Sequence, residues 1–109
     1  MTFDEFQKRS LRTAHCNDPL NAKLAMCGLG VAGEAGEVAD EIKKILYHGH
    51  ALDRYKLADE AGDVLWYLAF LAHTLDLSFD EIAERSVKKL LKRYPNGFDP
   101  ELSKNREAK

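Results

Sequence analysis

The sequence predicts an all-α fold, an antiparallel bundle of about four helices completed by homo-oligomerisation. Three observations predict it. Proline stands only at Pro19, Pro95 and Pro100, so the long stretch between the first two lacks the residue that breaks helices. Apolar residues recur at helical spacing, and no segment alternates with the strand period of two. A chain of 109 residues also has a poor surface-to-volume ratio, so a second copy would cover helix faces that one copy leaves wet.

Each element has its own signals. The first helix is expected over 2–15, starting near Thr2 or Asp4 and stopped by Asn17-Asp18-Pro19. The second is expected over 20–47. A loop at 48–53 follows, with Asp53 as a plausible N-cap for a third helix over 54–76. Ser78-Phe79-Asp80-Glu81 reads as a capping box that opens the fourth helix. That helix ends near Arg93, before the turn sequence Tyr94-Pro95-Asn96-Gly97. One domain is expected over 1–98, with a polar, loosely held tail over 99–109.

Charge narrows the function. The net charge is −2, which gives no electrostatic case for stable nucleic-acid binding. Acids gather at 34–41 and 59–63, and bases at 88–93. Cys16 and Cys27 form no CxxC pair and read as reduced thiols of a cytoplasmic protein. The first nine residues are charged, so no leader is expected. The longest apolar-rich stretch, 64–77, is too short to span a bilayer, so no membrane partner is expected.

One local pattern occurs twice. Glu34-Ala35-Gly36-Glu37-Val38 returns as Glu60-Ala61-Gly62-Asp63-Val64. At about 100° per residue, Leu24, Val31, Val38, Ile42 and Ile45 share one stripe of the second helix. Glu34 edges that stripe, with Glu41 beside it and Glu37 farther out. Leu57, Val64, Leu68, Leu71 and Leu75 form the matching stripe of the third helix, edged by Glu60 with Asp63 in the place of Glu37. An antiparallel hairpin would set Glu37 level with Asp63, Glu34 just past Asp63, and Glu60 near Glu41. Four carboxylates, Glu34, Glu37, Glu60 and Asp63, would then meet within one or two turns. Such a group repels itself unless cations neutralise it. Oxygen donors without histidine or thiolate suit Mg2+, with Mn2+ as the second choice. The plainer use of any single Glu-x-x-Glu is a solvated helix surface, but the repeated, edge-placed pair argues against it.

Other residues admit two readings. Gly28, Gly30, Gly33, Gly36 and Gly62 fall in or near these helices, where glycine costs stability, so close approach of a backbone or ligand is expected there. Lys89 and Arg93 could contact phosphate or simply complement a helix C-terminus. Lys44, seven residues after Glu37, could reach the same phosphates or stay solvated. Trp66, Tyr67 and Phe70 widen the apolar surface of the third helix, which suits a bundle core or an oligomer interface; Trp66 is also the candidate for stacking on a base. Cys27 is expected in the core. His48 and His50 lack a third ligand and are not expected to bind metal.

These segments carry a family resemblance. GEAGEVADEIKK (33–44), a 22-residue gap from Glu37 to Glu60 and DEAGDVLWYLA (59–69) resemble the MazG-like family of all-α nucleoside triphosphate pyrophosphatases. TFDEFQKRSLRT (2–13), KKLLKRYPNGFD (88–99) and SKNRE (103–107) extend the similarity over nearly the whole chain. The resemblance implies hydrolysis of a nucleoside triphosphate, ribo or deoxy, to the monophosphate and pyrophosphate. It implies metal-ligand roles for Glu34, Glu37, Glu60 and Asp63, one of which also orients or deprotonates water. Relatives often carry asparagine where this chain has Ser86, whose shorter hydroxyl can still reach a phosphate or ribose. Homodimer and homotetramer both fit. A carboxylate-bridged di-iron bundle needs Glu-x-x-His pairs that are absent here. A non-catalytic dimerisation or regulatory module would have no need of the four acids.

Overall fold

The computed structural model describes residues 1–106 and divides the chain into two compact units, Met1–Phe79 and Asp80–Lys109. The end of the expected tail, Glu107 to Lys109, lies outside the described residues. Among the described residues every regular element is helical: α1 (Phe3–Ser10), α2 (Leu20–Tyr47), α3 (Arg54–Thr74), α4 (Phe79–Arg93) and α5 (Pro100–Lys104), with a 3-10 turn at Leu11–Thr13. The all-α expectation holds. None of the described helices is long and apolar enough to cross a membrane.

The first unit is an antiparallel α2–α3 hairpin with α1 packed on α3. Contacts along the hairpin run in opposite directions on the two helices. Glu41 pairs with Lys56, Tyr67 lies over Gly30, and Cys27 meets Thr74. Asp53 caps α3 as expected, accepting from the amides of Tyr55 and Lys56 at 3.1 Å each.

α1 is shorter than expected. A capping box starts it: Thr2 Oγ1 accepts from the Glu5 amide at 3.1 Å, and Glu5 Oε1 accepts from the Thr2 amide. It ends at Ser10, not near residue 15. There the Ser10 carbonyl accepts from Trp66 Nε1 at 3.1 Å and from Thr13 Oγ1 at 3.1 Å, partners that replace a further helical turn. α3 also stops early, at Thr74. Asp76 takes a left-handed conformation (φ 59°), its amide reaches the His73 carbonyl, and the Leu77 amide reaches Ala72. That is a helix-ending motif usually built on glycine.

The buried apolar residues are few: Cys27, Ala69, Phe70, Ala72 and Phe79. Gln7 is buried among them and fully engaged. Its Nε2 donates to the carbonyls of Leu77 (3.1 Å) and Ala69 (3.4 Å), and its Oε1 accepts from the Phe79 amide at 2.9 Å. The Phe3 and Phe6 rings pack beside Phe79. Trp66, Tyr67 and Phe70 pack inside this unit, Trp66 edge-on to Tyr67. Large apolar side chains stay exposed on α2, where Leu29 is 76% and Leu46 67% exposed, and on other elements, Tyr55 of α3 and Val87 and Leu91 of α4 among them.

In the second unit, the turn after α4 uses Gly97 at φ 95°, and its amide donates to the Tyr94 carbonyl. Tyr94 and Phe98 pack ring on ring, 5.1 Å apart. Asp99 caps α5 by accepting from the Glu101 amide at 2.9 Å, so part of the segment expected as a loose tail is helical.

Two stability outcomes follow from these contacts. Gln7→Leu leaves the Phe79 amide and Leu77 carbonyl without that partner and is expected to cost about 2–3 kcal/mol in urea unfolding. A loss under about 0.5 kcal/mol would mean that the glutamine clamp is not made in solution. The glycines of α2 should diverge. A Cβ on Gly30 would fall on the Tyr67 ring, whereas one on Gly28 meets open space. Gly28→Ala should therefore stabilise by roughly 0.5–1 kcal/mol, and Gly30→Ala should destabilise, as thermal unfolding of both variants would show.

Candidate metal centre

The centre forms where α2 and α3 face each other near their middles. Carboxylate oxygens of Glu34, Glu60 and Asp63 lie within 4.8 Å of one another. Glu34 and Glu60 are half-buried and Asp63 is exposed. Glu37, the fourth expected residue, is not in this three-oxygen group. It stands one turn along α2 and exerts the largest like-charge effect on Glu60.

The register differs from the sequence expectation. Glu34, not Glu37, is the α2 residue whose carboxylate groups with those of Glu60 and Asp63, and Glu41 pairs with Lys56 while its charge still acts on Glu60. The cause is the loop. The chain reverses at Gly49 (φ 72°), and the His50 amide reaches back to the Lys44 carbonyl at 3.2 Å. The loop therefore folds over the last turn of α2, and α3 starts beside that turn, not beyond it. Ala51, Asp53 and Lys56 consequently line one cavity of about 370 Å³ with Glu41, Ile45 and His50.

Electrostatics follow from this register. Burial pushes the Glu60 carboxyl above its ordinary pKa range, and the negative charges of Glu37, Asp63, Glu34 and Glu41 push it further in that order. Glu41 is itself buried, and Lys56 Nζ holds it at 3.1 Å. Sequence reasoning placed Glu41 beside Glu34 and near Glu60 but gave it no role in the site. Its spacing of seven residues from Glu34 and four from Glu37 is the signal that sets it on the same face. Asp40, also missed, accepts from Lys43 at 3.1 Å and Lys44 at 3.2 Å, which lowers its pKa; Lys44 is correspondingly raised, first by Asp40.

The remaining expected contacts are placed separately. Lys44 stands on the same helix as Glu37 and is paired with Asp40. Trp66 is tied by its indole N–H to Ser10 and Thr13, at the end of α1. Ser86, Lys89 and Arg93 lie on α4, in the second unit. Cys27 is buried as expected.

A cluster of oxygen donors fits many proteins, so the surrounding sequence decides. The profile of the MazG nucleotide pyrophosphohydrolase domain matches residues 24–98, which contain all four motif acids. The chain belongs to the MazG family. The Gene 37 protein of Mycobacterium phage L5 is 38% identical over 78 residues, covering 68% of this chain and 68% of the phage protein. No solved structure matches the chain. In this MazG domain the acidic cluster sits on the two longest helices, and all its donors are carboxylate oxygens.

Repulsion at the centre has a measurable consequence. Folding raises the pKa of Glu60, so the folded chain holds that proton more tightly than the unfolded chain does. Ionised Glu60 therefore costs stability at high pH, and the cost fades as pH falls through the raised pKa towards the unfolded value. In metal-free protein, Glu60→Gln is expected to raise the melting temperature near neutral pH, with the gain shrinking on acidification. A scanning-calorimetry series showing a lowered melting temperature, or a gain independent of pH, would contradict this electrostatic account.

Proposed function

We propose that this MazG domain is a Mg2+-dependent nucleoside triphosphate pyrophosphohydrolase that cleaves an NTP or dNTP at the α-phosphate. The observation that carries the proposal is the convergence of Glu34, Glu60 and Asp63 on one point between α2 and α3. Three hard oxygen donors with no imidazole or thiolate among them fit Mg2+ best and Mn2+ next. Their mutual repulsion is the kind that a divalent cation relieves. A bound ion would supply phosphate charge neutralisation and a lowered pKa for water.

The residues divide the remaining work. Glu34, Glu60 and Asp63 hold the ion. Glu37 completes the acidic set, as a further ligand or as the acceptor of the proton from the attacking water. Water oxygen bonds to the α-phosphorus, the bond to the bridging oxygen breaks, and pyrophosphate leaves with that electron pair. Lys44, a cation on the Glu37 helix that feels the charge of Glu37, is the first candidate for phosphate, and Lys89, Arg93 and Ser86 are further candidates for phosphate or sugar. Trp66 is the candidate beside the base.

We propose further that copies of the chain associate as a homodimer or homotetramer, because large apolar side chains stay exposed on α2 while few are buried. A catalytic domain over 1–98 with an appended segment over 99–109, in a cytoplasmic protein, completes the reading. Free Cys16 and Cys27 suit a reducing compartment.

The test is product analysis. Incubation with the common NTPs and dNTPs and Mg2+ in 18O-water is expected to yield labelled monophosphate and unlabelled pyrophosphate. Glu37→Gln should lower kcat by roughly 10²–10⁴-fold, the range for loss of a group that handles a proton, or more if a ligand is lost. Orthophosphate as the sole phosphate product, or full activity in that variant, would refute the assignment.

A further inference from the structure

α4 carries an apolar face whose charges reverse along its length. Val87 and Leu91 are exposed, and they border a groove also lined by Asp80, Ala83, Glu84 and Lys88. At about 100° per residue these six positions share one side of the helix, while Lys89 and Arg93 fall towards the other. Acids occupy the N-terminal half of this side and its rim: Asp80, Glu81 and Glu84. Bases occupy the C-terminal half: Lys88 and Lys92.

Such a helix is complementary to itself in one orientation only. Turned end over end about a twofold axis near Ser86 and Val87, a second α4 brings Lys88 opposite Glu84, and Glu84 opposite Lys88. Lys92 comes level with Asp80 and Glu81 at the two ends. Parallel pairing would instead set Glu84 against Glu84 and Lys88 against Lys88. Apolar contact through Val87 and Leu91 supplies attraction, and the mirrored charges select the antiparallel register. We propose that this face of α4 is covered by α4 of a second copy of the chain, packed antiparallel. The proposal rests on the reading that copies associate, and it is independent of the hydrolytic reaction. It uses a different side of α4 from the one that bears Lys89 and Arg93.

Sedimentation velocity on the full chain tests it. The parent protein is expected to associate. Glu84→Lys alone and Lys88→Glu alone each place like charges together twice across the twofold axis, so each should weaken self-association at least about tenfold. An equimolar mixture of the two variants restores both contacts and should associate within about threefold of the parent. Each variant also sets like charges four apart within its own helix, which mixing cannot repair, so recovery reports contact between chains. Val87→Cys in a Cys16→Ser background gives a second reading: mild oxidation should yield a disulfide-linked dimer. A monomeric parent would overturn both this proposal and the association reading. An associated parent that neither charge variant weakens, a mixture that does not recover, or no cross-link through Cys at position 87 would overturn the α4 pairing alone, leaving another face or another partner helix as the occupant.

Discussion

The Glu41–Lys56 ion pair and the Tyr67 ring seated over Gly30 pin α2 to α3 on either side of a stretch where both helices carry carboxylates. Between those pins Glu34, Glu60 and Asp63 converge, with Glu37 one turn away. Left alone, such turns would push the helices apart; burial first, and then the charges of the neighbouring acids, raise the pKa of Glu60. Apolar packing and one ion pair, between buried Glu41 and exposed Lys56, hold what the acids oppose. Removing Lys56 would leave the buried Glu41 carboxylate without that cation, so Lys56 is better understood as a condition for Glu41 being where it is than as an added attraction.

The far end of the hairpin is fixed differently. α1 contributes two polar side-chain ties and little length. Gln7 joins the carbonyls of Ala69 and Leu77 and the amide of Phe79, where α3 has ended and α4 begins. Ser10 gives its carbonyl to Trp66. Apart from the Ala69 carbonyl inside α3, these ties satisfy backbone groups at helix ends, the groups for which buried helices need partners. The short α1 is therefore a consequence of what α3 offers it. The Trp66 indole N–H meets both the Ser10 carbonyl and Thr13 Oγ1, on either side of the 3-10 turn that stands where a longer first helix would run.

Much of this was legible in the sequence because it is local. Asp53 as a cap, the start of α2 after Pro19 and the repeated acid frame depend on residues within a turn of one another. The stripes edged by Glu34 and Glu60 followed from the 3.6-residue period alone. What was hidden depended on the path of the chain between elements. Counting residues to the loop assumes that the loop extends the hairpin, whereas the reversal at Gly49 folds it back over α2 and shifts the facing levels by about one turn. That shift brought Lys56 to Glu41, whose charge still reaches Glu60. The apolar excess of Trp66 and Tyr67 was likewise visible, but its destination inside the first unit depended on Ser10 and Gly30, far away in sequence.

The polar pairs beside the centre also bear on how a charged substrate could be accommodated. A lysine bound to a single carboxylate must abandon a charge in order to bind a phosphate. Lys44 is not in that position, because its partner Asp40 is shared with Lys43. If Lys44 turns towards a phosphate, Asp40 keeps one cation at hydrogen-bond distance. Exposed pairs of this kind are individually weak, so exchanging one is cheap. Lys56 contrasts with it: its carboxylate, Glu41, is buried, and Lys56 is the cation paired with it. The structure thus separates a cation that can change partners from one whose departure would leave a buried charge, and in the proposed reaction phosphate binding falls to the former.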